Sequence, residues 1–120
     1  MLYQLSASFI ARCAGPNDSI FVAPDMPVLY FSSQRRNPTP YDLVIAGAVD
    51  GGEIVELLER ERTNCVVYNP DMYVQFESFR EMFPQLDRYL TDSFRQSAVF
   101  RDDRGGSKKW LGLSRRAVPR

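Results

Sequence analysis

The spacing of apolar residues predicts two amphipathic helices, one near each end of the chain. Over residues 2–13, apolar side chains recur three and four positions apart with polar ones between them, and Gly15 and Pro16 end the pattern. A similar pattern follows Pro84, which suits a first helical turn because an N–H there has no intrahelical partner. The predicted core-facing positions are Leu2, Leu5, Phe9 and Cys13 in the first helix and Leu86, Tyr89, Leu90 and Phe94 in the last.

A third helix is predicted over residues 53–63. Asp50 is followed three positions later by Glu53, as in a capping box, and Asn64 suits a left-handed C-terminal cap. Ile54, Leu57 and Leu58 form its apolar face. Its acidic residues could be taken for a metal or acid/base cluster, but their spacing and the neighbouring arginines favour a solvated face. These residues are Glu53, Glu56, Glu59 and Glu61.

Short apolar runs predict the strands of a small layered α/β domain. The runs lie at 19–23, 65–69, 97–101 and 109–114, with a further strand at 42–46 whose end is blurred by glycines. The strand, helix, strand order that ends in the run at 65–69 predicts parallel pairing through a right-handed crossover. The last two runs predict a C-terminal β-hairpin. We therefore expect residues 1–120 to form one α/β domain with a mixed, partly parallel sheet.

The segment that follows the first strand is unusually dense in structural signals. Asp25 can cap a turn, and the early Pro27 costs no helical hydrogen bond, so residues 28–31 are expected to start a short helix that ends over 32–36. Residues 37–40, Asn-Pro-Thr-Pro, cannot continue a helix and predict an ordered loop.

These features, in this order, resemble the soluble C-terminal portion of polytopic membrane glycosyltransferases of the C-type fold. That group is similar to the protein O-mannosyltransferases and the lipid-A aminoarabinose transferases. The resemblance rests on Pro24-Asp25, Leu29-Tyr30-Phe31, Arg35-Arg36, Pro38-Thr39 and Tyr41 after the first strand. It continues with the capped helix at 53–62, the strand at 65–69, the Phe-Pro-x-Leu helix from Phe83 and a closing strand that ends in Arg115-Arg116, and so covers the chain from about Pro16 onward.

The resemblance implies a non-catalytic extracytoplasmic accessory domain of an enzyme that takes a sugar from a polyprenyl-phosphate carrier. The catalytic carboxylate, and any metal that assists it, would then belong to the membrane portion of the parent protein. The implied partners are that transmembrane portion and the head group of the lipid-linked sugar. Met1 would then not be the native start of the parent protein.

The same resemblance predicts an interface or substrate contact at four residues: Tyr30, Arg35, Arg36 and Asn37. The flanking prolines restrict the loop, so an arginine held there loses less entropy when it binds an anion. Two guanidinium groups could hold a phosphate or a carboxylate of a neighbouring domain. The alternatives are a solvated turn for the arginines and a core-edge position for the tyrosine.

Composition narrows the class of partner. The chain has 15 basic and 15 acidic residues, which argues against a general nucleic-acid or membrane-surface binder. The last twenty residues carry seven arginines or lysines against Asp102 and Asp103, a pattern we interpret as a solvated hairpin and tail rather than a lipid-facing patch. No apolar run approaches the roughly 18 residues needed to span a bilayer, and residues 2–14 lack the basic leading region of a signal peptide.

The residue inventory predicts no catalytic residue, no metal site and no cofactor. Histidine is absent, no serine or cysteine lies in a nucleophile elbow, and the turn at 24–27 has no glycine to hold a phosphate. Cys13 and Cys65 are too far apart in sequence for a metal-binding motif. Free buried thiols are favoured, although an extracytoplasmic location would permit a disulfide.

The alternative function is a degenerate receiver-like α/β module that binds a protein partner. Residues 42–46, 50–62 and 65–68 resemble the middle of a response-regulator receiver domain. The chemistry of that family is missing, because its phosphorylated aspartate would fall near Gly47 and only Asp25 follows the first strand. A receiver would also end in further parallel strands in place of a hairpin.

Overall fold

A mixed β-sheet forms the centre of the fold, and helices cover both of its faces. The computed structural model describes residues 2–41, 44, 49–74, 77–101 and 109–117. In chain order the elements are α1 (Leu2–Cys13), β1 (Ile20–Ala23), α2 (Val28–Ser33), α3 (Gly51–Arg60), β2 (Cys65–Tyr68), β3 (Tyr73–Val74), β4 (Glu77–Ser78), α4 (Phe79–Met82), α5 (Pro84–Ser93), β5 (Phe94–Arg101) and β6 (Lys109–Arg115). The sheet has the order β1-β2-β6-β5.

The pairing of the strands agrees with the predicted fold class. β1 and β2 are parallel, with Ile20 opposite Cys65 and Ala23 opposite Tyr68. β6 is antiparallel to both β2 and β5, so the closing strands form the predicted antiparallel pair. The α/β class, the mixed sheet and the C-terminal pair of strands are therefore confirmed. The connection between β5 and β6 lies outside the described residues.

Alternation along the short strands divides the core into two layers. Phe21 and Val66 point to one face, where they pack against α3, α4 and α5. Ile20 and Val67 point to the other face, where they pack against α1 and α2. Because β1 and β2 are apolar at every position and buried on both sides, they read as continuous hydrophobic runs in the sequence.

A β-bulge changes the direction of the side chains halfway along β5. The register with β6 shifts between Gln96 and Ala98. Phe94 and Phe100 are six residues apart and would face the same way in a regular strand, yet they lie in opposite core layers. The bulge thus lets one strand contribute an aromatic ring to each layer.

Several local expectations are wrong, and each has a packing reason. Leu5 is half-exposed, because α1 turns Phe9 and Ile10 toward the sheet instead. Phe94 continues the spacing of α5 but belongs to β5, since α5 ends at Ser93.

The C-terminal end of α3 and the N-terminal end of α2 also differ from the prediction. The left-handed residue after α3 is Arg62, with φ of 54°, and not Asn64. Pro27, and not Asp25, occupies the N-cap position of α2, and it makes no side-chain capping hydrogen bond. Asp50 does cap α3, by accepting a hydrogen bond from the Gly52 N–H at 2.9 Å.

The predicted strand at 42–46 falls almost wholly outside the described residues. Val44 is described and buried, and its N–H donates to the Pro24 carbonyl at 3.0 Å. Among the described helices, none is both long enough and apolar enough to cross a membrane.

Candidate functional site

The segment that carries the predicted contact residues lies along the edge of β1 that faces away from β2. Tyr30 places its hydroxyl against the backbone of Val22, accepting from the N–H at 2.8 Å and lying 3.4 Å from the carbonyl. The Ile20 N–H donates to the Arg36 carbonyl at 3.0 Å. An open strand edge is a template for unwanted pairing, and these bonds occupy it. Tyr30 and the backbone of Arg36 therefore have a structural role at this edge.

Arg35 is directed inward, onto the end of α1. Its guanidinium donates to the Ala14 carbonyl at 3.1 Å and to the Ser33 carbonyl at 2.8 Å. The carbonyls at a helix C-terminus have no intrahelical donors, and this end of the helix carries a partial negative charge. A guanidinium there is therefore stabilised both by hydrogen bonds and by charge attraction. The side chain joins α1 to the turn after α2.

Asn37 organises the proline-containing loop from within. Its side-chain oxygen accepts from the N–H and the hydroxyl of Thr39, both at 2.9 Å, and its amide donates to the Tyr41 carbonyl at 2.6 Å. This is the side-chain-to-backbone bonding by which asparagine stabilises turns. The Tyr41 hydroxyl then donates to Glu53 at 2.9 Å, which ties the loop to α3 and raises the pKa of the tyrosine.

Arg36 is the member of the predicted set whose charge faces solvent. Its guanidinium lies 3.5 Å from the Glu61 carboxylate, and both side chains are substantially exposed. An exposed pair of this kind contributes little to stability and leaves the guanidinium accessible to another anion. The structure thus brings all four predicted residues into one segment and turns only Arg36 outward among them.

We expect Arg35→Ala and Arg36→Ala to separate these roles. Loss of Arg35 leaves the Ala14 carbonyl without that donor and should lower the free energy of unfolding by about 1–2 kcal/mol. Loss of Arg36 should cost under about 0.5 kcal/mol. Urea unfolding of the two variants measures both values, and equal losses would contradict the inward assignment of Arg35.

The outer side of α2 carries an exposed apolar surface. Phe31 is 88% exposed and Val28, one helical turn earlier, is 45% exposed. Leu29, between them in sequence, is fully buried against the sheet. We call Val28 and Phe31 the α2 surface.

The sequence contained a signal for the α2 surface that the periodicity argument did not use. Residues 28–31 are four consecutive apolar positions. Successive helical residues are about 100° apart, so four in a row cannot all face a core on one side. At least one of them had to point toward solvent.

A groove lies on the opposite face of the sheet, beside α5. It holds about 220 Å³, with Leu90, Phe94 and Leu111 among its apolar walls and Arg80 and Arg116 among its polar lining residues. Tyr68 donates to Asp87 at 2.7 Å across it. Burial and this bond raise the pKa of Tyr68 above its usual range, so its hydroxyl stays protonated and cannot serve as a base at neutral pH.

Within the part of the chain that the structure describes, no group of three or more cysteine, aspartate or glutamate residues is placed to hold a metal ion. The acidic residues of α3 make surface contacts instead, as Glu53 does with Tyr41 and Glu59 with Tyr89. Among the described side chains, the polar contacts around the predicted site support the fold.

Comparisons with known proteins identify no relative. No protein-family model matches the chain, and no curated protein and no solved structure matches it either.

Proposed function

We propose that this chain is a non-catalytic accessory domain of a membrane glycosyltransferase that uses a polyprenyl-phosphate sugar, and that it acts on the extracytoplasmic side. In this proposal the α2 surface, with Arg36 beside it, meets the membrane portion of the same enzyme. The sequence resemblance supplies the enzyme class. The exposed ring of Phe31 supplies the physical argument for a contact.

Phe31 is the single observation that carries the contact. A phenylalanine whose side chain is almost wholly exposed gains nothing from the hydrophobic effect in the isolated chain. Aromatic anchors are also over-represented among the residues that dominate binding energy at protein interfaces. Since Leu29 already fixes α2 to the sheet, Phe31 is not needed to hold this helix in place.

Arg36 complements this apolar contact with a charge. The Arg36 backbone is fixed by its hydrogen bond to Ile20, and its side chain extends from a loop that prolines and Asn37 make rigid. A preorganised guanidinium binds a phosphate or carboxylate at lower entropic cost than one on a flexible segment. A neighbouring membrane domain or the phosphate of a lipid-linked sugar could supply that anion.

The experiment measures sugar transfer by the complete gene product in membranes, with a polyprenyl-phosphate sugar as donor. Phe31→Asp should lower the transfer rate at least about tenfold, since a charge would be placed in an apolar contact. The purified 120-residue chain should show no turnover. The thermal midpoint of that chain should be nearly unchanged by Phe31→Asp, because the ring has few contacts to lose.

Tyr73→Asp provides the matched control. Tyr73 is also a largely exposed aromatic residue, at 69%, but it lies in β3 and not on α2. We expect its transfer rate to stay within about twofold of the parent protein. Equal effects of the two variants would argue against the α2 surface as the contact, and turnover by the isolated chain would refute the non-catalytic role. Absence of transfer by the complete product, together with binding of a soluble protein that Phe31→Asp abolishes, would favour the receiver-like alternative.

A further inference from the structure

The two cysteines meet in the fold although 52 positions separate them in sequence. Cys13 ends α1, and Cys65 begins β2. The Cys13 sulfur lies 3.7 Å from the carbonyl of Asn64, the residue that precedes Cys65. It also lies 3.9 Å from the Ser114 hydroxyl, and Ser114 is the strand partner of Cys65. These contacts place the two thiols beside each other, and neither is in a disulfide.

The two sulfur atoms differ in their access to solvent. Cys65 is fully buried in the core layer beneath α1, whereas Cys13 is only partly buried. Cys13 lines an open hollow of about 480 Å³ whose other walls include Arg12, Arg62 and Arg116. A reagent from solvent can therefore approach Cys13, while Cys65 is reachable only through Cys13 or after unfolding.

The pKa values of the two thiols also differ, and the difference favours reaction at Cys13. The hydrogen bond from Cys65 lowers the pKa of Cys13, and the bond to Ser114 acts in the same direction. That shared hydrogen bond, together with burial, raises the pKa of Cys65. The proton therefore stays on Cys65, and Cys13 is the thiol that ionises. Thiolates are the reactive form of cysteine, so Cys13 is the more reactive of the two.

We propose that Cys13 and Cys65 form a reversible redox pair, in which Cys13 is the solvent-facing nucleophile and Cys65 the resolving thiol. The proposal does not depend on the proposed function, because it rests on the contact between two side chains of this chain. It assigns a modification site to the junction of α1 and β2.

The reaction with a small disulfide such as oxidised glutathione balances without another reagent. The Cys13 thiolate attacks one sulfur of the disulfide, so a mixed disulfide forms and one glutathione leaves as a thiolate and takes up a proton. Cys65 then loses its proton to solvent and attacks the Cys13 sulfur, which releases the second glutathione. Two protein thiols are oxidised to one disulfide, and one glutathione disulfide is reduced to two thiols.

The new bond would hold the end of α1 to the sheet. In the reduced chain this end is held by non-covalent contacts that include the hydrogen bond from Arg35 to Ala14. A covalent bond between Cys13 and Cys65 closes a long loop in the unfolded chain and lowers its entropy. Because native contacts already place the sulfur atoms together, we expect oxidation to raise the thermal midpoint by about 5–15 °C.

The test incubates the reduced chain with an excess of oxidised glutathione and follows intact mass, thiol content and thermal midpoint. The expected product is a monomer that is lighter by two hydrogens, has no thiol that reacts after unfolding, and melts at a higher temperature. Dithiothreitol should reverse all three changes.

Two variants assign the roles of the thiols. Cys65→Ala should stop at the mixed disulfide and gain the mass of one glutathione, because no resolving thiol remains. Cys13→Ser should stay unmodified while folded, since Cys65 is buried; its circular dichroism spectrum checks that it is folded. Two free thiols in the oxidised wild-type chain, a disulfide-linked dimer in place of the internal bond, or glutathione on Cys65 of folded Cys13→Ser would each overturn the proposal.

Discussion

Arg115→Ala should lower the free energy of unfolding by about 3 kcal/mol, because this one side chain joins the last strand to two helices. Its guanidinium donates to the Thr63 carbonyl at 2.7 Å and to the Leu58 carbonyl at 3.3 Å, at the C-terminal end of α3. It also lies 4.7 Å from the centroid of the Phe94 ring. Truncation would leave buried carbonyls without these donors and remove a cation–π contact.

A carboxylate and a phenol complete the environment of Arg115. The guanidinium lies 3.2 Å from the Glu59 carboxylate and 3.2 Å from the Tyr89 hydroxyl, which itself donates to Glu59 at 2.8 Å. The bond from Tyr89 and the charge of Arg115 lower the pKa of Glu59. Because the pKa of Glu59 is lower in the folded chain than in the unfolded chain, the ionised carboxylate stabilises the fold at pH values above the usual glutamate pKa. This contribution is lost as the pH falls through the pKa of Glu59 in the folded chain. The loss of unfolding free energy caused by Arg115→Ala should therefore be smaller in acid. It should not disappear, because the parent chain keeps the hydrogen bonds from Arg115 to the two carbonyls at any pH.

Arg116→Ala is the matched control for Arg115→Ala. The Arg116 side chain is exposed, and its backbone bond to Ser93 survives the substitution. We expect its free energy of unfolding to stay within about 0.5 kcal/mol of the parent chain. Arg115→Lys should recover only part of the loss, because an ammonium group cannot reproduce the planar arrangement of donors. Urea unfolding measures all three variants, and a small loss for Arg115→Ala would show that these contacts are not made in solution.

Gly112→Val should destabilise the fold by about 2–3 kcal/mol through overpacking. A Cβ at this position would lie 3.0 Å from three atoms of the Phe9 ring, which is closer than normal van der Waals contact. The Phe9 ring cannot move away freely, because it also packs against the Phe100 ring, with the two ring centroids 5.8 Å apart. The branched valine adds two further carbons to the same space.

A double-mutant cycle tests this explanation for Gly112→Val. Phe9→Leu shortens the side chain that the valine would strike, so the double variant should lose less stability than the sum of the two single variants. Additive losses would show that the cost of the valine does not arise from Phe9. Chemical denaturation of the four proteins provides the comparison.

Local sequence signals were sufficient for most elements of this fold. The apolar run of β2 after the capped helix α3 predicted a partly parallel sheet, and β1 and β2 form its parallel pair. Both strands are continuous hydrophobic runs because they are buried on both faces. Pro84 marked the start of α5, since proline is tolerated only where no helical N–H is needed. The prolines and Asn37 predicted an ordered loop, and the side-chain hydrogen bonds of Asn37 account for that order.

The contacts of the candidate site were decided by tertiary structure. The sequence placed Tyr30, Arg35, Arg36 and Asn37 in one segment, but whether a guanidinium points inward or outward depends on which carbonyl lies nearby. The same holds for Cys13 and Cys65, whose contact requires α1 and β2 to pack together. The bulge in β5 is a third case, because one extra residue reverses the side-chain direction without any change in composition. Periodicity records which side of an element is apolar, whereas partners distant in the chain are fixed only when the layers pack.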